Sequence, residues 1–180
     1  MMNFPWKKGL YLAVLLFTPF AIADSSYNLH VFGTIVGESC NVDTQSIEQT
    51  VDMGEFSADD FPVPGSTTNP KKFDISLKGC TPAITDTQVW FTGQADRDNP
   101  SLLALSDTGK GHLATMATGL GVELLDSTLT PIDINNTESA HYPLAPGDNL
   151  LTFFLRYKST LPTVTSGEAT AVMYFDLLYQ

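Results

Sequence analysis

Apolar and polar positions alternate along this chain in short runs, and no long stretch repeats its apolar residues at the 3.6-residue spacing of a helix. Near the start, Tyr27, Leu29, Val31, Gly33 and Ile35 share one parity against Asn28, His30, Phe32 and Thr34. In the last run, Met173, Phe175, Leu177 and Tyr179 fall on one face. The pattern predicts strands over 28–36, 50–53, 73–78, 88–93, 121–125, 149–158 and 170–180. Strong breakers separate them: Pro62-Val63-Pro64-Gly65, Asn69-Pro70, Asp98-Asn99-Pro100 and Pro146-Gly147-Asp148. Segments 102–105 and 110–117 have the apolar density of a short helix, but Gly109 and Gly111 argue against one. Without a repeat, a low-complexity tract or a dividing linker, the reading is one all-β sandwich. Long strands at both ends create two sheet edges that need protection. Alternation alone favours Tyr27–Ile35 as an ordinary first strand of a closed sandwich.

The first 23 residues read differently. Lys7 and Lys8 form a basic n-region, Gly9 to Phe17 an apolar h-region, and Ala21-Ile22-Ala23 places small residues at −3 and −1 of a cleavage site. The apolar run falls short of the roughly 20 residues that span a bilayer. Residues 1–23 are therefore expected to be a signal peptide, and the mature chain to begin at Asp24 as one domain that buries a sizeable core. The whole chain has a formal net charge of −11, and all 20 acidic residues lie beyond Ala23. That balance argues against nucleic acid and anionic membrane surfaces as partners.

Cys40 and Cys80 are the two cysteines, and in an exported chain they allow one intramolecular pairing. A Cys40–Cys80 bridge would stabilise by roughly 3–4 kcal/mol on the loop-entropy model. No Cys-x-x-Cys spacing suggests redox chemistry.

Nothing points to catalysis, a cofactor or a metal. His30, His112 and His141 lack ligand spacing. Asp96-Arg97-Asp98-Asn99 lacks the glycine and distal glutamate of a calcium loop and reads as a solvated turn. Asn135-Asn136-Thr137 matches the glycosylation triplet, a common chance pattern. Trp90 and Phe91 read as core residues of a central strand rather than a sugar-stacking platform.

Several segments, in order, resemble the pilin subunits of chaperone–usher fimbriae. Cys40-Asn41-Val42 and Gln49-Thr50-Val51-Asp52-Met53-Gly54 match two of them, and Phe73-Asp74-Ile75-Ser76-Leu77-Lys78-Gly79-Cys80 matches the strand ending in the second cysteine. Phe91-Thr92-Gly93 with Ala95-Asp96, Asn99 and Leu102-Leu103-Ala104-Leu105 resembles the minor tip-fibrillum adaptor subunits of type 1 fimbriae in particular. At the end, Gly167 stands fourteenth from Gln180 and Tyr179 is penultimate, with Ala171, Met173, Phe175 and Leu177 alternating between them.

The resemblance implies an all-β fold: an incomplete immunoglobulin-like sandwich lacking its final strand, with a free N-terminal donor-strand extension. Residues 24–37 would be that extension and 38–180 the pilin domain. Its implied partners are a periplasmic chaperone, an outer-membrane usher and neighbouring fimbrial subunits. Tyr27, Leu29, Val31, Gly33 and Ile35 would enter a neighbour's groove. Gly167, Ala171, Met173, Phe175, Leu177 and Tyr179 would form the strand that a chaperone, and then a neighbour, complements. At about 3.3 Å per residue the extension would span on the order of 40 Å, enough to run the length of a sandwich. A major rod subunit uses the same exchange, and a subunit with its own glycan-binding activity is a further alternative. The role implied is structural, in a surface fimbria reached by export through the periplasm.

Overall fold

The structure, a computed structural model, describes residues 39–109, 115–136 and 140–180. The donor positions Tyr27, Leu29, Val31, Gly33 and Ile35 lie outside the described residues, as do the expected signal peptide, His30 and His112. Within 39–180 the described strands form two sheets. The larger has the order β1 (Asn41–Val42), β2 (Lys71–Cys80), β8 (Gly147–Ser159), β5 (Leu120–Leu125) and β4 (Leu103–Ala104), with β6 (Pro131–Ile132) also paired to β5. The smaller has the order β7 (Ala140–Pro143), β3 (Asp86–Gly93) and β9 (Met173–Tyr179). Every pairing between these strands is antiparallel.

Alternation sets which side chains meet. Phe73 lies opposite Phe153 and Ile75 opposite Leu151 in the β2–β8 pair, so one parity of both strands faces the core. From the other sheet, Thr87, Val89 and Phe91 face inward. Phe153, fully buried, joins the layers: its ring centroid lies 5.5 Å from Phe73, 4.9 Å from Phe91 and 5.4 Å from Tyr142. The ring of Phe153 stacks on Phe73 and meets Phe91 and Tyr142 edge to face, and such pairs each add about 0.5–1.5 kcal/mol beyond the area that they bury.

The Cys40–Cys80 disulfide is present and ties the chain before β1 to the end of β2. The β2–β8 register shifts between Leu77 and Cys80, at Gly79, which takes a positive φ of 61°. Such a conformation is available to glycine without a Cβ penalty.

Three sequence expectations need correction. Residues 50–53 are not a strand: Asp52 Oδ1 accepts a hydrogen bond from the Gly54 N–H at 2.9 Å, and the turn breaks any ladder. Val51 and Met53 still pack against the core from this irregular segment. Residues 102–105, where Gly109 and Gly111 argued against a helix, do contain a short edge strand, β4, and the Ala104 N–H donates to the Gln94 carbonyl at 2.7 Å. The final strand begins at Met173, not at 170, because the Thr170 carbonyl and hydroxyl are bonded to Ser106 instead. Finally, Phe91 is core but Trp90 has the opposite parity and is only half-buried on the outward face.

Candidate functional site

β9 repeats the pattern of a core strand but has a bonded neighbour on one side. Its partner is β3, in the register Thr87–Tyr179, Val89–Leu177, Phe91–Phe175 and Gly93–Met173. No strand among the described residues pairs with its other edge. Along such an edge every second residue turns its N–H and C=O away from the sheet, a template for another strand. Met173, Phe175, Leu177 and Tyr179 all pack against the core, yet each remains partly exposed. In β8 the equivalent face is buried at Leu151, Phe153, Tyr157 and Ser159. Among the described residues, the core is thus incompletely covered along β9.

The six residues expected to form the acceptor strand separate into two groups. Met173, Phe175, Leu177 and Tyr179 share the inward face of β9. Gly167 and Ala171 precede the strand, and Gly167 is held within the chain. The Ala117 N–H donates to the Glu168 carbonyl at 2.8 Å, and the Glu168 N–H donates to Thr115 at 2.7 Å. A Cβ on Gly167 would stand 2.4 Å from both the Ala117 nitrogen and the Met116 carbonyl carbon. Close backbone approach, rather than a turn, makes glycine necessary there. The spacing from the C-terminus marked the position, but nothing in the sequence identified residues 115–118 as its neighbour.

Tyr179 has a second property. Its hydroxyl is buried with no hydrogen-bond partner among the described residues, and burial raises its pKa. By contrast the Tyr157 hydroxyl donates to the Ala169 carbonyl at 2.5 Å, and its pKa is pushed up to about 12, first by burial and then by Glu168 and Asp52. An orphaned hydroxyl at a half-covered edge fits a position that another chain completes.

The other candidates resolve as structure. Asp96 Oδ1 accepts from the N–H groups of Asp98 and Asn99 at 3.0 and 2.9 Å, an ordinary turn. Asn135 is clamped to the backbone of Gly93 by two bonds of 3.0 and 2.8 Å. His141 lies on β7 with Nδ1 2.8 Å from Asp86 Oδ1. No group of three or more potential metal ligands occurs among the described residues, and no helix among them is long and apolar enough to cross a membrane.

Known proteins resemble this chain in sequence and overall fold. The sequence profile of the family described as fimbrial protein matches residues 29–180. The fimbrial-like protein YcbU of Escherichia coli K12 is 38% identical, over 97% of this chain and 99% of its own length. The fimbrial subunit type 1 of Salmonella typhimurium is 38% identical, over 91% of this chain and 86% of its own. Among solved structures, an antigen and type I fimbria protein of Burkholderia pseudomallei superposes with a TM-score of 0.59 at 38% identity, covering 78% of this chain and 88% of that one. The sandwich is the immunoglobulin-like fold of pilin subunits. The chain belongs to the fimbrial protein family, as a non-enzymatic structural subunit of a surface fimbrium that assembles with other fimbrial subunits.

Proposed function

We propose that this subunit is joined to its neighbours by donor-strand exchange, with β9 as the acceptor edge and residues 24–37 as the segment it donates. One observation carries the reading: β9 is a seven-residue strand whose alternate apolar side chains face the core but stay partly exposed, with β3 as its single bonded neighbour among the described residues. A strand laid along that edge would supply partners for the outward N–H and C=O groups and cover Met173, Phe175, Leu177 and Tyr179. Tyr27, Leu29, Val31, Gly33 and Ile35 have the alternation such a strand needs. Each Leu, Val or Ile fully buried in a neighbour contributes about 1.5–3 kcal/mol.

Before assembly the same edge needs cover, which is the task of a periplasmic chaperone that hands the subunit to an outer-membrane usher. Export by the signal peptide 1–23 precedes both steps. The 91–105 segment, with its resemblance to tip-fibrillum subunits, supports placement as a minor tip adaptor.

A peptide of residues 24–37 tests the exchange. Added in excess to the chain lacking 1–37, it should raise the thermal midpoint with a dependence on peptide concentration set by mass action. A Val31→Asp peptide should raise it far less. Equal effects of the two peptides would overturn the donor assignment.

A further inference from the structure

The parity of the backbone along β9 decides which groups an incoming strand can use. Gln180 and Asp86 exchange two backbone bonds, the Gln180 N–H donating to Asp86 at 2.9 Å and the Asp86 N–H to Gln180 at 3.2 Å. Even-numbered residues along β9 therefore turn their N–H and C=O toward β3, and odd-numbered ones turn theirs toward the open edge. The same parity continues ahead of the strand. The Glu168 carbonyl accepts from the Ala117 N–H and the Thr170 carbonyl from the Ser106 N–H, each at 2.8 Å. The Val172 carbonyl oxygen stands 3.3 Å from where a Cβ on Gly93 of β3 would lie. Ala169, between Glu168 and Thr170, turns its carbonyl the other way, to the side of the open edge.

That carbonyl is already taken: the Tyr157 hydroxyl donates to it at 2.5 Å. Tyr157 is buried and firmly placed on β8, opposite Val122 of β5, with its N–H bonded to Thr68 Oγ1 at 3.1 Å. Its ring meets Phe56 edge to face, centroids 5.9 Å apart. A side chain fixed on the larger sheet thus reaches across the core and occupies the first acceptor of the odd-numbered row. Beyond it, Ala171, Met173, Phe175, Leu177 and Tyr179 have no backbone partner on that side among the described residues. These odd positions match in number the donor residues Tyr27, Leu29, Val31, Gly33 and Ile35.

We propose that Tyr157 is the stop that fixes the register of strand exchange: its hydroxyl caps the open edge at Ala169, so a donor strand pairs from Ala171 to Tyr179 and no further. Entering antiparallel, as the paired strands β1–β9 are, the donor sets Ile35 opposite Ala171, Gly33 opposite Met173 and Tyr27 opposite Tyr179. A slip of two residues keeps every apolar donor side chain facing inward, so alternation does not forbid it. The occupied carbonyl does. A donor that ran on to Ala169 would bring the Ile35 N–H to an oxygen already bonded to Tyr157, and a buried donor left unpaired is costly. Tyr157 touches none of the donor side chains in this arrangement; it acts through Ala169 as a positioning residue. The inference rests on the strand-exchange reading above.

Disulfide trapping reads the register directly. The exported chain carries Val31→Asp, to keep its own extension out of a neighbour, and one added cysteine by Ala171→Cys or Ala169→Cys. It is mixed with a 24–37 peptide carrying Ile35→Cys, since residues directly opposite in a ladder have the Cα spacing of a disulfide. Trapping is expected at position 171 and not at 169. Tyr157→Phe keeps the ring against Phe56 and frees the Ala169 carbonyl, and should raise trapping at 169 about tenfold, the scale of one hydrogen bond. Phe56→Leu loosens the ring but leaves the hydroxyl, and should not. Trapping at 169 in the parent, trapping confined to 171 in Tyr157→Phe, or an equal slip in Phe56→Leu would overturn the stop and leave strand exchange standing. So would trapping at neither position while the unmodified peptide still raises the thermal midpoint. If that peptide neither raised the midpoint nor was trapped in its cysteine form, the exchange reading would fall and the stop with it.

Discussion

β8 and β9 have nearly the same sequence character and opposite fates. Both alternate apolar and polar residues, and both send aromatic side chains inward: Phe153 and Tyr157 from β8, Phe175 and Tyr179 from β9. β8 is bonded to β2 on one side and β5 on the other, and Phe153 is fully buried. β9 is bonded to β3 alone among the described residues, and its inward residues remain partly exposed. Alternation specifies which face of a strand is apolar; it does not specify how many neighbours the strand has. The same local pattern serves in β8 to close a core and in β9, among the described residues, to leave an edge without a strand.

The sharpest way to break the comparison is to truncate both strands at matching aromatics. Phe153→Ala removes a ring that touches Phe73, Phe91 and Tyr142, and should destabilise the chain by about 3–5 kcal/mol in chemical denaturation. Phe175→Ala should cost markedly less in the same chain, about 1–2 kcal/mol, because part of that side chain is already in water. Its larger effect should appear in assembly, as lost binding of a complementing strand. Equal costs in the uncomplemented chain would mean that β9 is as enclosed as β8.

The disulfide sharpens the contrast from the other side, since it reinforces the sheet that is already complete. Replacing Cys40 and Cys80 together by alanine should cost roughly 3–4 kcal/mol, seen as a lower denaturation midpoint. The rate at which a 24–37 peptide binds β9 should change much less, as neither cysteine lies on that strand. A collapse of peptide binding in a variant that still folds would show that the two sheets are coupled more tightly than their separate ladders imply.

These differences also mark how far the sequence could be read. β2, β3, β5 and β8 were legible because each has several inward apolar residues bounded by strong turn residues, and the disulfide followed from having two cysteines. The β9 face was legible too. What alternation could not reveal were contacts made by irregular backbone. α1 (Thr44–Ile47), capped by Asp43 Oδ1 accepting from the Gln45 N–H at 3.0 Å, has too few residues for a helical period. β1, β4 and β6, two residues each, owe their strand character to their neighbours. Residues 50–53 read as a strand from composition, but the Asp52 side chain competes for the backbone and wins locally. Gly167 was found for its place near the C-terminus, whereas its physical reason is the Met116–Ala117 backbone packed against it.

The smallest expected effect concerns the tyrosines, which report on the same contrast by titration. Tyr142 and Tyr157 have pKa values raised from 10.0 to about 12, in both cases chiefly by burial. A raised folded-state pKa means that the folded chain holds the phenolic proton more tightly than the unfolded chain. The associated stability is therefore fully present below pH 10 and lost as pH climbs from 10 towards 12. Ultraviolet absorbance of phenolate should show these two groups ionising late, together with alkaline unfolding. Tyr179 is raised too, by burial, from its half-covered place on β9. Laying a donor strand along β9 would bury the rest of the Tyr179 side chain and deepen its desolvation, so complementation should delay phenolate formation at Tyr179 and leave Tyr142 and Tyr157 almost unchanged. A Tyr179→Phe variant identifies the signal. If the donor peptide shifted Tyr157 as much as Tyr179, or shifted neither, the inserted strand would not be lying against β9.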